Sequence, residues 1–170
     1  MDSELYRLAE SVGRTLKQKD LMLASAESCT GGWIGEAVTA VAGSSEWFER
    51  GFITYSNAAK QEMLGVLAGT LEMHGAVSEQ TVLEMAAGAL LYSRASIAVS
   101  VSGVAGPGGG TATKPVGMVC IGWCVRNSAP IAVTHHFAGD REAVRRQSVV
   151  VALEGVLKAV IRDSGLRRDS

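Results

Sequence analysis

Hydrophobic spacing divides the chain into alternating helical and extended segments. Between residues 3 and 18, Leu5, Leu8, Val12 and Leu16 form one apolar stripe, with Ser3 placed to cap it. A continuous apolar run at 21–26 predicts a short buried strand. Ile34, Ala37, Val38 and Val41 then recur at helical spacing and predict a helix over 33–41. Residues 51–55 predict a strand by β-propensity, and Ser56-Asn57 predicts the cap of a helix carrying Lys60, Met63 and Leu64 that ends at Gly65. Ser78 opens a further helix with Val82, Met85, Ala86 and Ala89 as its stripe. Strands are predicted at 97–101, 116–125 and 131–137, the last two as a hairpin turning at Asn127-Ser128. A long helix over 140–161 follows, with Val144, Val149, Leu153, Val156 and Val160 inward. This order predicts a three-layer α/β/α single domain with a mixed β-sheet, over residues 1–165, and a polar tail at 166–170.

Composition narrows the function classes. Hydrophobic residues make up 47% and charged residues 19%, a globular balance, and 170 residues suit one core. A net charge of -1 gives no electrostatic reason to expect nucleic acid or an acidic membrane as partner. No apolar run reaches the ~18 residues of a membrane-spanning helix, and the acidic N-terminus does not resemble a signal segment. Three cysteines, none in Cys-x-x-Cys spacing, favour a reduced, cytoplasmic protein. His74, His135 and His136 offer no metal-ligand spacing, so neither a metal nor another cofactor is expected. A homo-oligomer is expected on general grounds for a small metabolic enzyme.

Two glycine-containing turns are the candidate sites. Glu27-Ser28-Cys29-Thr30-Gly31-Gly32 joins a strand to a helix, which suits a phosphate or another anion at the helix N-terminus, although such residues also form ordinary capped turns. The loop from Gly103 to Gly110 fits neither a Walker A loop, because Lys114 stands between Thr113 and Pro115, nor a dinucleotide fingerprint. It still allows close backbone approach to a ligand.

Six segments in order carry a resemblance: Ala26-Glu27-Ser28-Cys29-Thr30-Gly31-Gly32, Gly43-Ser44-Ser45, Thr54-Tyr55-Ser56-Asn57 with Lys60, Gly75-Ala76-Val77-Ser78, Ser102-Gly103-Val104-Ala105-Gly106-Pro107 and Lys114-Pro115-Val116-Gly117. Together they resemble the C-terminal domain of the competence/damage-inducible CinA family in its stand-alone nicotinamide-nucleotide amidohydrolase form. The resemblance implies hydrolysis of the carboxamide of nicotinamide mononucleotide by a serine nucleophile with a lysine base and no metal. It implies Ser45 as nucleophile, Lys60 as base and Tyr55 as assistant. One departure stands in the substrate loop, where Ala112-Thr113 replaces the family's usual Pro-Glu.

The chemistry constrains that assignment. Lysine acts as a base only when neutral, so Lys60 must be desolvated or face another cation. A straight strand over 51–55 would hold Ser45 and Lys60 ~17 Å apart at the usual rise. They meet only if residues 46–50 double back, the favoured expectation, or if Lys60 faces Ser45 of a neighbouring subunit. The substrate side is expected to involve Glu27, Ser28, Thr30, Gly31, Gly32 and Gly106. The phosphate is expected on the N–H groups of Thr30 to Gly32 or on Arg141, Arg145 or Arg146, with Arg145 preferred. Cys29 is the rival nucleophile, as a thiol near a helix N-terminus. A ligand-binding or regulatory module that keeps the pocket without the catalysis is the alternative function.

Overall fold

The computed structural model describes residues 2–168. Its helices are α1 (Ser3–Gln18), α2 (Trp33–Thr39), α3 (Asn57–Leu64), α4 (Ala68–His74), α5 (Glu79–Leu91) and α6 (Arg141–Arg168). Its strands are β1 (Leu23–Glu27), β2 (Phe48–Ile53), β3 (Ile97–Gly103), β4 (Met118–Val125) and β5 (Ile131–His136), in the order β2-β1-β3-β4-β5. β1 runs parallel to both β2 and β3, whereas β3, β4 and β5 pair antiparallel, so the sheet is mixed as the pattern predicts.

Side-chain alternation along the strands sorts the layers. Leu23 of β1 and Ile97, Val99 and Val101 of β3 pack with α1, α2 and α6. Ala24, Ala26 and Ala98 face the other way, into a cluster with Leu64, Leu71, Val82, Met85 and Ala86 from α3, α4 and α5. Burial on both faces explains why β1 and β3 read as unbroken apolar runs.

Three elements differ from expectation. β2 begins at Phe48 and not at Gly51, because Phe48 already pairs with Leu23 on the edge of the sheet. The chain therefore does not double back over 46–50. Instead Trp47 is buried against α1, where a Cβ on Gly13 would come within 2.5 Å of the indole. α4 was not expected from its sequence, since Leu67 caps it without a side-chain bond. Glu84 of α5 supplies the missing acceptor, taking Leu67 N–H at 2.9 Å and the Thr70 hydroxyl at 2.5 Å. The last helix runs on to Arg168, through Gly165, with no proline in 162–168 to stop it. Most of the expected tail is thus helical, while 169–170 lie outside the described residues.

The crossovers after β1 and β2 lie on opposite faces: α2 on one, α3 to α5 on the other. The carboxyl ends of β1, β2 and β3 therefore open a crevice of the kind that receives ligands in open α/β sheets.

Candidate functional site

Lys60 is the most unusual side chain in that crevice. It is 1% exposed, although it lies in the middle of a short polar helix. Close packing of α3 on α5 buries it: a Cβ on Gly88 would fall 1.9 Å from the Leu64 carbonyl oxygen, so only glycine permits the approach. The amine has two partners, donating to the Thr54 carbonyl at 2.9 Å and lying 3.0 Å from Ser28 Oγ. Burial lowers the Lys60 pKa from its ordinary value, only partly offset by the nearby Cys29 sulfur. A neutral amine can keep one N–H on Thr54 and turn its lone pair to the Ser28 hydroxyl proton. That is the arrangement of a nucleophile and its base.

Ser28 directly follows β1, and its N–H donates to the Val101 carbonyl of β3, extending the ladder by one residue. With Lys60 it lines a pocket of 210 Å³, together with Cys29, Tyr55, Ser102 and Gly103 among others. The sequence suggested Ser28 only as a substrate contact; the structure brings it to Lys60. Ser45 is not brought there. It is exposed in a 3-10 turn ahead of β2, at the end where Trp47 accepts from Leu23. Lys60 touches Thr54, just past the opposite end of β2, about 17 Å away along the strand. A neighbour's Ser45 would meet the same obstacle, since Lys60 is enclosed by its own chain.

Tyr55 stands at the pocket mouth, 63% exposed, its hydroxyl accepting from Arg141 Nη2 at 3.2 Å. Arg141 also donates to the Gly106 carbonyl at 2.8 Å and lines a second, open cavity of 1280 Å³. Thr30, Gly31, Gly32, Gly106 and Arg145 border that larger cavity, so most of the expected substrate contacts face one continuous space.

Two of those expectations change. Glu27 is buried and its carboxylate accepts from the Thr30 hydroxyl, Ile34 N–H and Gly35 N–H, at 2.6, 2.9 and 3.1 Å. The protein's own carboxylate thus takes the Ile34 and Gly35 N–H groups at the start of α2, and Glu27 lines neither cavity. The turn needs both glycines, since Gly31 and Gly32 have φ of 59° and 104°. Arg145 is also committed: its fork donates to the Cys29 and Thr30 carbonyls at 3.0 Å each and lies over the Trp33 ring. Arg146 is held by Asp2 and Glu4. Arg141 forms no ion pair among the described residues, and both its hydrogen-bond partners are neutral.

Burial pushes the Cys29 thiol up to about 11, so it stays protonated at neutral pH and is a poor nucleophile. Among the described residues no group of three or more His, Cys, Asp or Glu side chains is placed to hold a metal ion, and no helix is long and apolar enough to cross a membrane.

Comparison with known proteins gives the lineage of this site. The model of the CinA C-terminal domain matches residues 5–160. The nicotinamide-nucleotide amidohydrolase PncC of Escherichia coli K12 is 50% identical over 163 residues, covering 96% of this chain and 99% of the relative. A CinA-like protein of Chloroherpeton thalassium is 57% identical over 137 residues, which are 79% of this chain and 33% of that longer protein. The crystal structure of the competence/damage inducible protein CihA from Agrobacterium tumefaciens superposes with a TM-score of 0.90 at 45% identity, covering 94% of this chain and 97% of that one. With a family model spanning nearly all of its fold, the chain belongs to the CinA C-terminal domain family.

Proposed function

We propose that this chain is a nicotinamide-nucleotide amidohydrolase that converts nicotinamide mononucleotide to nicotinate mononucleotide and ammonia, with Ser28 as nucleophile and Lys60 as base. The observation that carries the reading is the buried Lys60 amine 3.0 Å from Ser28 Oγ, in a pocket at the sheet's carboxyl edge. Relatives bearing that activity in their names, at 50% identity over nearly the whole chain, support the substrate.

The residues suggest the sequence of steps. Neutral Lys60 takes the Ser28 proton as Oγ bonds to the carboxamide carbon, and the carbonyl π pair moves onto oxygen. When that pair returns, the C–N bond breaks and Lys60 hands its proton to the departing nitrogen, which leaves as ammonia. Water then attacks the acyl-Ser28 ester while Lys60 takes its proton. The second collapse frees the carboxylic acid and returns that proton to Ser28, and the acid then ionises to the carboxylate by losing its own proton to water. The Thr54 carbonyl keeps the amine aimed throughout.

The two cavities divide the substrate. The inner pocket takes the pyridine carboxamide, and the larger one takes the ribose phosphate. Arg141 borders both, and its guanidinium is our assignment for the phosphate contact, in place of Arg145. The three cysteines, free and buried, fit a reducing, cytoplasmic setting.

The test is ammonia release from nicotinamide mononucleotide by the parent chain and by Ser28→Ala. Release by the parent that disappears in the variant is expected. No release by the parent across pH would refute the reading and favour a binding module.

A further inference from the structure

Ser102 is a second hydroxyl built into the inner pocket, and nothing so far described uses it. It is 1% exposed and lines the same space as Ser28 and Lys60, and its hydroxyl has no hydrogen-bond partner among the described residues. The fully buried unpaired hydroxyls among the described residues are those of Ser25 and Thr54, whereas the Ser102 oxygen opens onto the pocket and is free to bond to what enters it.

Its placement follows from the sheet. β1 and β3 pair in parallel with Glu27 opposite Val101, and the Ser28 N–H to Val101 carbonyl bond carries the ladder one step further. Ser28 and Ser102 are therefore level with each other on adjacent strands, about 4.8 Å apart in the hydrogen-bonding direction. They also share a face. Ala26 and Ala98 point toward α3 and α5, and the Ser100 hydroxyl donates to the Val82 carbonyl of α5 on that side. Alternation along each strand then sends Ser28 and Ser102 the same way.

We propose that Ser102 is a catalytic residue whose hydroxyl donates a hydrogen bond to the carboxamide oxygen as negative charge develops there. The proposal rests on Ser28 as nucleophile. As the Ser28 Oγ–carbon bond forms, the carbonyl π pair moves to oxygen and the Ser28 proton goes to Lys60. Ser102 donates to that oxygen without giving up its proton, and the interaction weakens when the pair returns and the C–N bond breaks. A donor must lie about 2.7–3.1 Å from the oxyanion. A hydroxyl one strand spacing from Ser28 and on the same face can reach an oxygen on the carbon that Ser28 attacks. Ser102 is not a rival nucleophile, because the Lys60 amine is bonded to Ser28 and not to it.

Kinetics and a transition-state mimic test this together. In Ser102→Ala, kcat for nicotinamide mononucleotide should fall about 10²-fold while KM stays within about twofold and the acid limb of the pH profile does not move. Ser102→Cys, which keeps the volume but donates weakly, should behave like the alanine variant; it decides the matter if Ser102→Ala melts early. Pyridine-3-boronic acid, followed by boron NMR, should form a tetrahedral adduct with the parent and none with Ser28→Ala. It should bind Ser102→Ala at least about tenfold more weakly. Equal boronate affinity in parent and Ser102→Ala, including no binding by either, overturns the assignment, as does parental kcat in both Ser102 variants. Absence of nucleotide hydrolysis by the parent would refute the functional reading alone, since the boronate measurement still decides the role of Ser102.

Discussion

Ser28 and Ser45 stand at opposite ends of neighbouring parallel strands, and their surroundings could hardly differ more. Ser45 lies in an exposed turn ahead of β2, beside Glu46, which pairs with Lys17 on the surface. Ser28 lies just past β1, nearly buried, in contact with an amine that has almost no access to water. The strands cause the difference. At their amino ends the chain enters from tight turns that only have to pack, as Trp47 does against α1. At their carboxyl ends the loops diverge toward helices on both faces, leaving a space where groups from β1, α3 and β3 converge.

The sharpest break of the comparison is to remove each serine in turn. Ser28→Ala should lower kcat by about 10⁴-fold or more, as loss of a nucleophile does, measured by ammonia release. Equal losses from Ser28→Ala and Ser45→Ala would collapse the distinction. Next in size, Lys60→Met should cost about 10²- to 10⁴-fold, the usual contribution of a general base.

Lys60 also fixes the direction of the pH response. Its folded-state pKa is lowered by burial, so kcat/KM should fall as pH drops through that lowered value and the amine gains its proton. Stability carries the same sign. Burying the cation costs free energy below the folded-state pKa. That cost is relieved as pH rises from there to the ordinary lysine value of about 10.4. Urea titrations of Lys60→Met against the parent should show the parent gaining stability across that window and the variant lacking the gain.

Smaller effects test the outer cavity. Arg141→Met should raise KM for the nucleotide roughly tenfold or more, the scale of one charge-assisted hydrogen bond, and barely change it for the phosphate-free nucleoside. Equal shifts for both would remove the phosphate from Arg141. Least of all, Ser45→Ala should leave kcat and KM within about twofold, and its melting temperature near the parent's.

Much of the fold was legible in the sequence because its signals are local. The Leu5, Leu8, Val12, Leu16 stripe and the apolar runs of β1 and β3 carry their own period, and Gly65 ends α3 with φ of 70°, as its position suggested. What escaped depends on distant partners. Glu84 caps α4 from another helix, and β2 extends through charged Glu49 and Arg50 because it is a sheet edge, where polar side chains are tolerated. The site divides in the same way. Family likeness pointed to Lys60, yet a lysine in an Asn-Ala-Ala-Lys-Gln helix reads as solvated; its burial depends on Gly88, 28 positions later in the chain. Ser28 read as a substrate contact only, since nothing local to its turn shows that Lys60 reaches it. Parallel register was the missing signal for Ser102, since it emerges only when β3 is laid beside β1.

Glu27 and Arg145 both hold the 28–32 turn, the first through the Thr30 hydroxyl and the N–H groups of Ile34 and Gly35 just beyond it, the second through the Cys29 and Thr30 carbonyls. With both anchors supplied from within, the Ser28 hydroxyl has its bearing before any ligand arrives. Ligand entry then has no loop to organise, so binding should leave amide exchange across this turn nearly as slow as it was in the empty protein.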